Sequence, residues 1–162
     1  MNSFDHVSTI LSCRQTLFST VSKSNNLQRL LGTSQRDARR IECRALVAST
    51  RLSRHHGALQ NALAAAMYLG QIAKPCLEEG VNIDAVTRLE GSDVLWDQDE
   101  MSASIRMLQD IVQGVDLRSQ DMQVGRPELL AKLVRISILF LCYVATNVNI
   151  GTSHIRSTSR EA

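Results

Sequence analysis

The chain has 162 residues, enough for a domain that buries most of its apolar surface, and a hydrophobic share of 44% excludes wholesale disorder. Aromatics at 4% and 2 prolines, beside abundant Ala, Leu, Arg and Gln, favour helix over sheet. Lys+Arg 18 against Asp+Glu 16 gives a net charge of +2, without the basic excess usual in nucleic-acid modules, and no direct nucleic-acid contact is predicted.

From Phe4 to about Val21, the residues Phe4, Val7, Leu11, Phe18 and Val21 fall on one broad helical side, with Ser3 available as N-cap. Asn25, Asn26 and Gly32 loosen the next stretch to at most a short helix around Leu27 to Leu31. Ser34 and Asp37 resemble a capping box that opens a helix in which Ala38, Ile41, Ala45, Ala48 and Leu52 repeat at spacings of three and four. Gly57 supplies its break. The basic cluster Arg36, Arg39, Arg40 and Arg44, continued by Arg51 and Arg54, reads as a solvated helix face diluted by Asp37 and Glu42.

The segment from Gly57 to Lys74 is a strong helix with Leu59, Leu63, Ala66 and Gly70 along one face, ended by Lys74 and Pro75. The alanines at 62, 64, 65 and 66 permit close approach of a neighbour. Asp84 can cap the helix that runs towards Trp96. Two short helices then meet at an acidic turn, Asp97 to Glu100. Leu89, Ser92 and Trp96 share one face of the first; Met101, Ile105, Leu108 and Val112 share one face of the second. After Gly114 a polar connector leads to Pro127, which suits the first turn of another helix.

Successive helices of roughly 14 to 20 residues, paired at about 40 residues per pair, predict an all-α fold, an α-solenoid of antiparallel hairpins of the tetratricopeptide or HEAT kind. Residues 1–133 form the repeat segment. The structural core is expected to include Leu59, Leu63, Ala66, Leu89, Trp96, Met101, Ile105 and Leu108.

No catalytic, cofactor-binding or metal residue is identified. A phosphate-covering loop, a phosphate-binding Lys and metal-holding Asp and Asn residues are not identifiable, and no GxxxxGK, GxSxG or HExxH occurs. Arg36–Asp37 is followed five residues on by Glu42 rather than the Asn of a kinase catalytic loop. Cys13, Cys43, Cys76 and Cys142 are scattered without a CxxC pair, and His55–His56 has no ligand at zinc spacing. With no secretory signal, the thiols are expected to be reduced and partly buried in an intracellular protein.

Two stretches, Gly57 to Leu69 (GALQNALAAAMYL) and Ser92 to Ile111 (SDVLWDQDEMSASIRMLQDI), resemble the FAT region of the phosphatidylinositol-3-kinase-related protein kinases. Within that family they are most similar to the ATM-type telomere-maintenance kinases of fungi. The resemblance spans roughly Asp5 to Leu133, and its most specific part runs from Leu95-Trp96-Asp97-Gln98 to Met107-Leu108-Gln109. It implies a nuclear, non-catalytic helical-repeat segment that wraps, supports and restrains the kinase domain of a very large serine/threonine protein kinase. It also implies contacts with the remaining repeats, dimer contacts, and a parent enzyme recruited to DNA double-strand breaks or telomeres by a break-sensing nuclease complex. ATP and Mg are implied only for the full-length kinase. Asp99 stands where relatives usually carry Gly. Ser34–Gln35 and Ser119–Gln120 match the dipeptide such kinases phosphorylate, a pair common by chance.

After Leu133 the resemblance stops, and residues 134–162 are read as a divergent tail, first apolar and then polar, arising from a retained intron or a mispredicted exon. Its apolar window, Ile136 to Ala145, is short of the ~20 residues that span a bilayer, so membrane insertion is not expected. The rival functional class is a free-standing tetratricopeptide-like adaptor that captures a peptide on a concave face bearing Asn or Lys.

Overall fold

The computed structural model describes residues 3–116, 118–121 and 124, all within the unit Met1–Arg126. Six helices follow one another there: α1 (Ser3–Lys23), α2 (Asn25–Leu31), α3 (Gln35–His55), α4 (Leu59–Glu78), α5 (Asp84–Asp97) and α6 (Met101–Gly114). Packing runs α1 on α3, α3 on α4, α4 on α5 and α5 on α6, so each long helix leans on its neighbours along the chain. That order is an α-solenoid. The expected boundary at residue 133, the helix after Pro127 and the tail 134–162 lie outside the described residues.

Local chemistry sets the helix ends. Ser34 caps α3 by accepting from the Asp37 amide at 3.1 Å, while the Asp37 carboxyl takes the Ser34 hydroxyl rather than a backbone amide, giving half of a capping box. Gly57 closes α3 with φ of 71°, and the Ala58 amide reaches back to the Ser53 carbonyl at 2.8 Å. The cap of α5 differs from expectation. Asp84 is the first helical residue, and Asn82 Oδ1 receives its amide at 3.2 Å.

Pro75 does not end α4. The helix runs on to Glu78, although proline has no amide to offer the Gln71 carbonyl. The residues on either side of it explain why: Ile72 and Cys76 are both buried in the core, and stopping at Lys74 would pull Cys76 out of it.

The main core joins Cys43, Leu46 and Val47 of α3 to Leu69, Ile72 and Cys76 of α4 and to Val81, Ile83 and Val86. The buried stripe of α3 therefore lies beside the apolar seam read from the sequence. Ala38 and Ala45 are buried, but Ile41 faces solvent and Leu52 is only half-buried, because α3 packs against α1 as well as α4. In α4 the deepest residues are Ala62, Leu69 and Cys76, and Gly70 is exposed. Ala62 and Ala66 meet Val94, where small side chains bring α4 and α5 together.

The α5–α6 hairpin turns over residues 98–100 as the acidic break predicts. Asp99 adopts φ of 63°, the left-handed conformation that favours glycine, and the Glu100 amide bonds the Leu95 carbonyl at 2.9 Å. Across the hairpin, the Ser104 hydroxyl donates to the Ser92 carbonyl at 2.8 Å. Gly91 faces Met107 so closely that a β-carbon there would stand 2.9 Å from the sulfur. Among the described residues, no helix is long and apolar enough to cross a membrane.

Candidate functional site

The chemistry-bearing side chains gather along α3, where the arginines form a row of ion bridges rather than a solvated face. Arg39 is 8% exposed; its Nε donates to Glu79 Oε2 at 2.7 Å and its Nη1 to Glu42 Oε2 at 2.8 Å. The Ser22 hydroxyl of α1 donates to the same Glu42 oxygen at 2.6 Å, so α1, α3 and the end of α4 share one buried polar cluster. Gln28 of α2 completes it by donating to the Ser22 carbonyl at 3.1 Å.

Further along, Arg40 Nε reaches Asp121 Oδ2 at 2.8 Å, a carboxylate almost wholly buried in the connector after α6. Arg51 bonds the fully buried Glu90 of α5 at 2.6 Å. Arg54 spans two carboxylates of α5, Asp93 at 2.7 Å and Asp97 at 2.6 Å. Arg36 and Arg44 are exposed. A guanidinium fork with several donors in one plane suits this cross-helix work.

These pairs explain the titration behaviour. For Arg39, the Glu79 hydrogen bond is the strongest influence; it overcomes burial and holds the guanidinium firmly charged. Burial pushes the Glu79 carboxyl up, but the hydrogen bonds from Arg39 and Gln35 leave it below the ordinary glutamate value. Buried oxygens remain without a hydrogen bond at Glu42 Oε1 and Glu90 Oε2 among the described residues. Most of the acidic partners lie about forty residues from their arginines, and Asp121 lies 81 from Arg40, so local spacing gave no hint of them; Glu42 and Asp37, each three residues from its arginine, are the local exceptions.

The predicted core residues divide. Ala66 and Leu89 are buried, and Leu59, Leu63, Ile105 and Leu108 are half-buried. Trp96 and Met101, each 49% exposed, are not core residues, and Val112 is exposed too. Trp96 and Met101 flank the turn, one residue from the end of α5 and at the first residue of α6, while Val112 lies off the inward line of Ser104 and Ile111. Ser34 is occupied as an N-cap, and the Ser119 hydroxyl donates to the Asp116 carbonyl at 2.9 Å.

Two shallow grooves run beside α1. One, of about 400 Å³, is lined by Ser12, Gln15, Ser19, Lys23 and Tyr68; the other, of about 270 Å³, by Ser8, Gln15, Ser53 and Asn61. In the first, the Tyr68 hydroxyl lies 3.2 Å from the Ser19 hydroxyl and accepts from Lys23 Nζ at 3.4 Å, at the exposed edge between α1 and α4. Among the described residues, no three His, Cys, Asp or Glu gather as a metal site.

Antiparallel helices stacked in chain order and tied by arginine bridges define a segment of an α-solenoid. Its sequence places it more narrowly: the chain is homologous to a segment of the fungal Tel1 serine/threonine protein kinases, which are of the ATM type. It is 36% identical over 132 residues to serine/threonine-protein kinase tel1 of Aspergillus oryzae and 38% identical over 130 residues to that of Neurospora crassa. These matches take in 82% and 80% of this chain but 4% of each relative, so the chain spans a small fraction of the kinases it matches. Among solved structures, the open conformation of CtTel1 superposes with a TM-score of 0.73 at 33% identity, covering 86% of this chain and 5% of that one. The complete CtTel1 dimer with C2 symmetry gives 0.70 at 34% identity, over 83% of this chain and 5% of that one. No protein-family model matches the chain.

Proposed function

We propose that this segment is a non-catalytic helical scaffold of the FAT kind, serving an ATM-type serine/threonine kinase in nuclear signalling from DNA double-strand breaks and in telomere maintenance. Its contacts are with the remaining repeats and the kinase domain of the parent protein and, through them, with a second copy and a break-sensing nuclease complex. ATP and Mg belong to the kinase domain. The observation that carries this reading is the agreement in both sequence and fold with Tel1 over more than four-fifths of the chain. A row of buried ion bridges that ties successive helices together suits a scaffold.

A chimera tests the reading: the matching segment of Neurospora crassa tel1 is replaced by residues 5–133 of this chain. Retained phosphorylation of Ser-Gln peptides is the expected result. A chimera that assembles normally yet has lost that activity overturns the scaffold role.

The adaptor reading draws on one observation, the polar grooves beside α1 with Lys23 and Asn61 in their walls. Saturable binding of an extended peptide by the isolated chain, lost in Asn61→Ala, would favour it.

A further inference from the structure

Cys43 of α3 and Cys76 of α4 are both fully buried, and their sulfurs lie 3.5 Å apart although 33 residues separate them in sequence. We propose that this pair is a built dithiol which a hydroperoxide converts to a disulfide, fastening α3 to α4. Both thiols project from rigid, packed helices, so their proximity belongs to the fold. A disulfide needs its sulfurs at about 2.05 Å, within reach of small side-chain rotations from the observed separation.

Access comes from the same element. Cys76 lies in the last turn of α4, directly after Pro75, where the helix lacks one backbone hydrogen bond. That turn opens at lower cost than the middle of the helix, and a hydroperoxide is little larger than water. The contact with Cys43 lowers the Cys76 thiol towards its thiolate, opposed by burial and helped by Arg39. Cys76, in the turn that opens more readily, is the sulfur the hydroperoxide meets first.

The chemistry balances. The Cys76 thiolate attacks one oxygen of hydrogen peroxide, the O–O bond breaks, and Cys76 becomes a sulfenic acid while the other oxygen leaves as hydroxide and takes the proton that the Cys76 thiol gave up, forming water. The Cys43 sulfur then attacks the Cys76 sulfur. Hydroxide departs with the Cys43 proton as a second water, and the S–S bond forms. Two thiols have lost two electrons and two protons, and one peroxide has become two waters.

The test treats the full chain with hydrogen peroxide and maps its peptides without reduction. The expected product is one cross-linked pair containing Cys43 and Cys76, lighter by two hydrogens and separated again by dithiothreitol. Its thermal midpoint is expected to rise, because the link restricts the unfolded chain's freedom between α3 and α4. The double variant Cys13→Ser, Cys142→Ser, which leaves the core untouched at Cys43 and Cys76, should give the same product. Cys43→Ala should oxidise at Cys76 without the cross-link. The proposal is overturned if both core thiols are still alkylated on denaturation after peroxide, or if they are found bridged to Cys13 or Cys142.

Discussion

Arg51 of α3 donates from both Nε and Nη2 to a single oxygen of Glu90 on α5, at 2.8 and 2.6 Å, while the other carboxylate oxygen is buried without a hydrogen bond among the described residues. The carboxylate is fully buried and the guanidinium about one-third exposed. Removing the cation leaves an anion in the core, which is far costlier than removing both charges. Arg51→Ala should cost about 3 kcal/mol in denaturant unfolding, and Arg51→Met combined with Glu90→Leu should recover most of it. A loss below about 0.5 kcal/mol for the single variant, typical of surface pairs, would refute the assignment.

The hairpin offers a contrast between two large apolar residues. Leu89 is buried and Trp96 is half exposed, so Leu89→Ala should cost about 2–5 kcal/mol and Trp96→Ala less than about 1.5 kcal/mol. Equilibrium unfolding of the two variants side by side decides it; equal losses would return Trp96 to the core.

Asp99 holds a left-handed backbone at the hairpin turn. Asp99→Gly should therefore stabilise the chain by about 0.5–1 kcal/mol, and Asp99→Val should destabilise it by more. A rise in thermal midpoint for the glycine variant is the readout, and a fall would show that the aspartate side chain contributes more than the strain it bears.

The Arg39–Glu79 bridge sets an acid limit. Glu79 ionises more readily folded than unfolded, so its contribution is complete above the unfolded glutamate value and is lost as the pH falls through the folded one. Unfolding midpoints followed from neutral pH to about pH 3 should fall steeply in the acid range. Glu79→Gln should lower stability at neutral pH and flatten that part of the curve. An unchanged slope would remove Glu79 from the account.

The Gly91–Met107 contact is closer than a β-carbon tolerates, but the opposing atoms are the flexible end of a methionine. Gly91→Ala should be nearly neutral, because the gain in helix propensity, about 1 kcal/mol, offsets the shift of Met107. Gly91→Leu should cost about 1–3 kcal/mol. Comparable losses for both would mean that Met107 has no room to move.

The helices were largely legible in the sequence. Their period, the Ser34 cap, the Gly57 break and the acidic turn before Met101 all act locally, within the few residues that determine them. Burial was less so. Trp96 and Met101 share a face with genuine core residues, but they stand at the turn end of the hairpin, and how far the neighbouring helix covers that end is decided by tertiary packing. The arginines of α3 were visible, but as a polar face, since hydropathy counts a bridged guanidinium and a solvated one alike. One long-range signal was present nonetheless. Arg39–Glu79, Arg51–Glu90 and Arg54–Asp93 are separated by 40, 39 and 39 residues, and Arg40–Asp121 by 81, close to one and two periods of about 40 residues. Opposite charges recurring at the period of a repeat mark neighbours in its stack.

Apolar helix faces interlock by shape, but each of their contacts is weak and non-directional. The bridges from α3 to α5 are directional: Arg51 holds Glu90, and Arg54 holds Asp93 and Asp97. They act as pins through adjacent plates: shear along the helix axes must break named bonds, several of them shielded from salt. The stack is thereby held in register along the helix axes as well as pressed together.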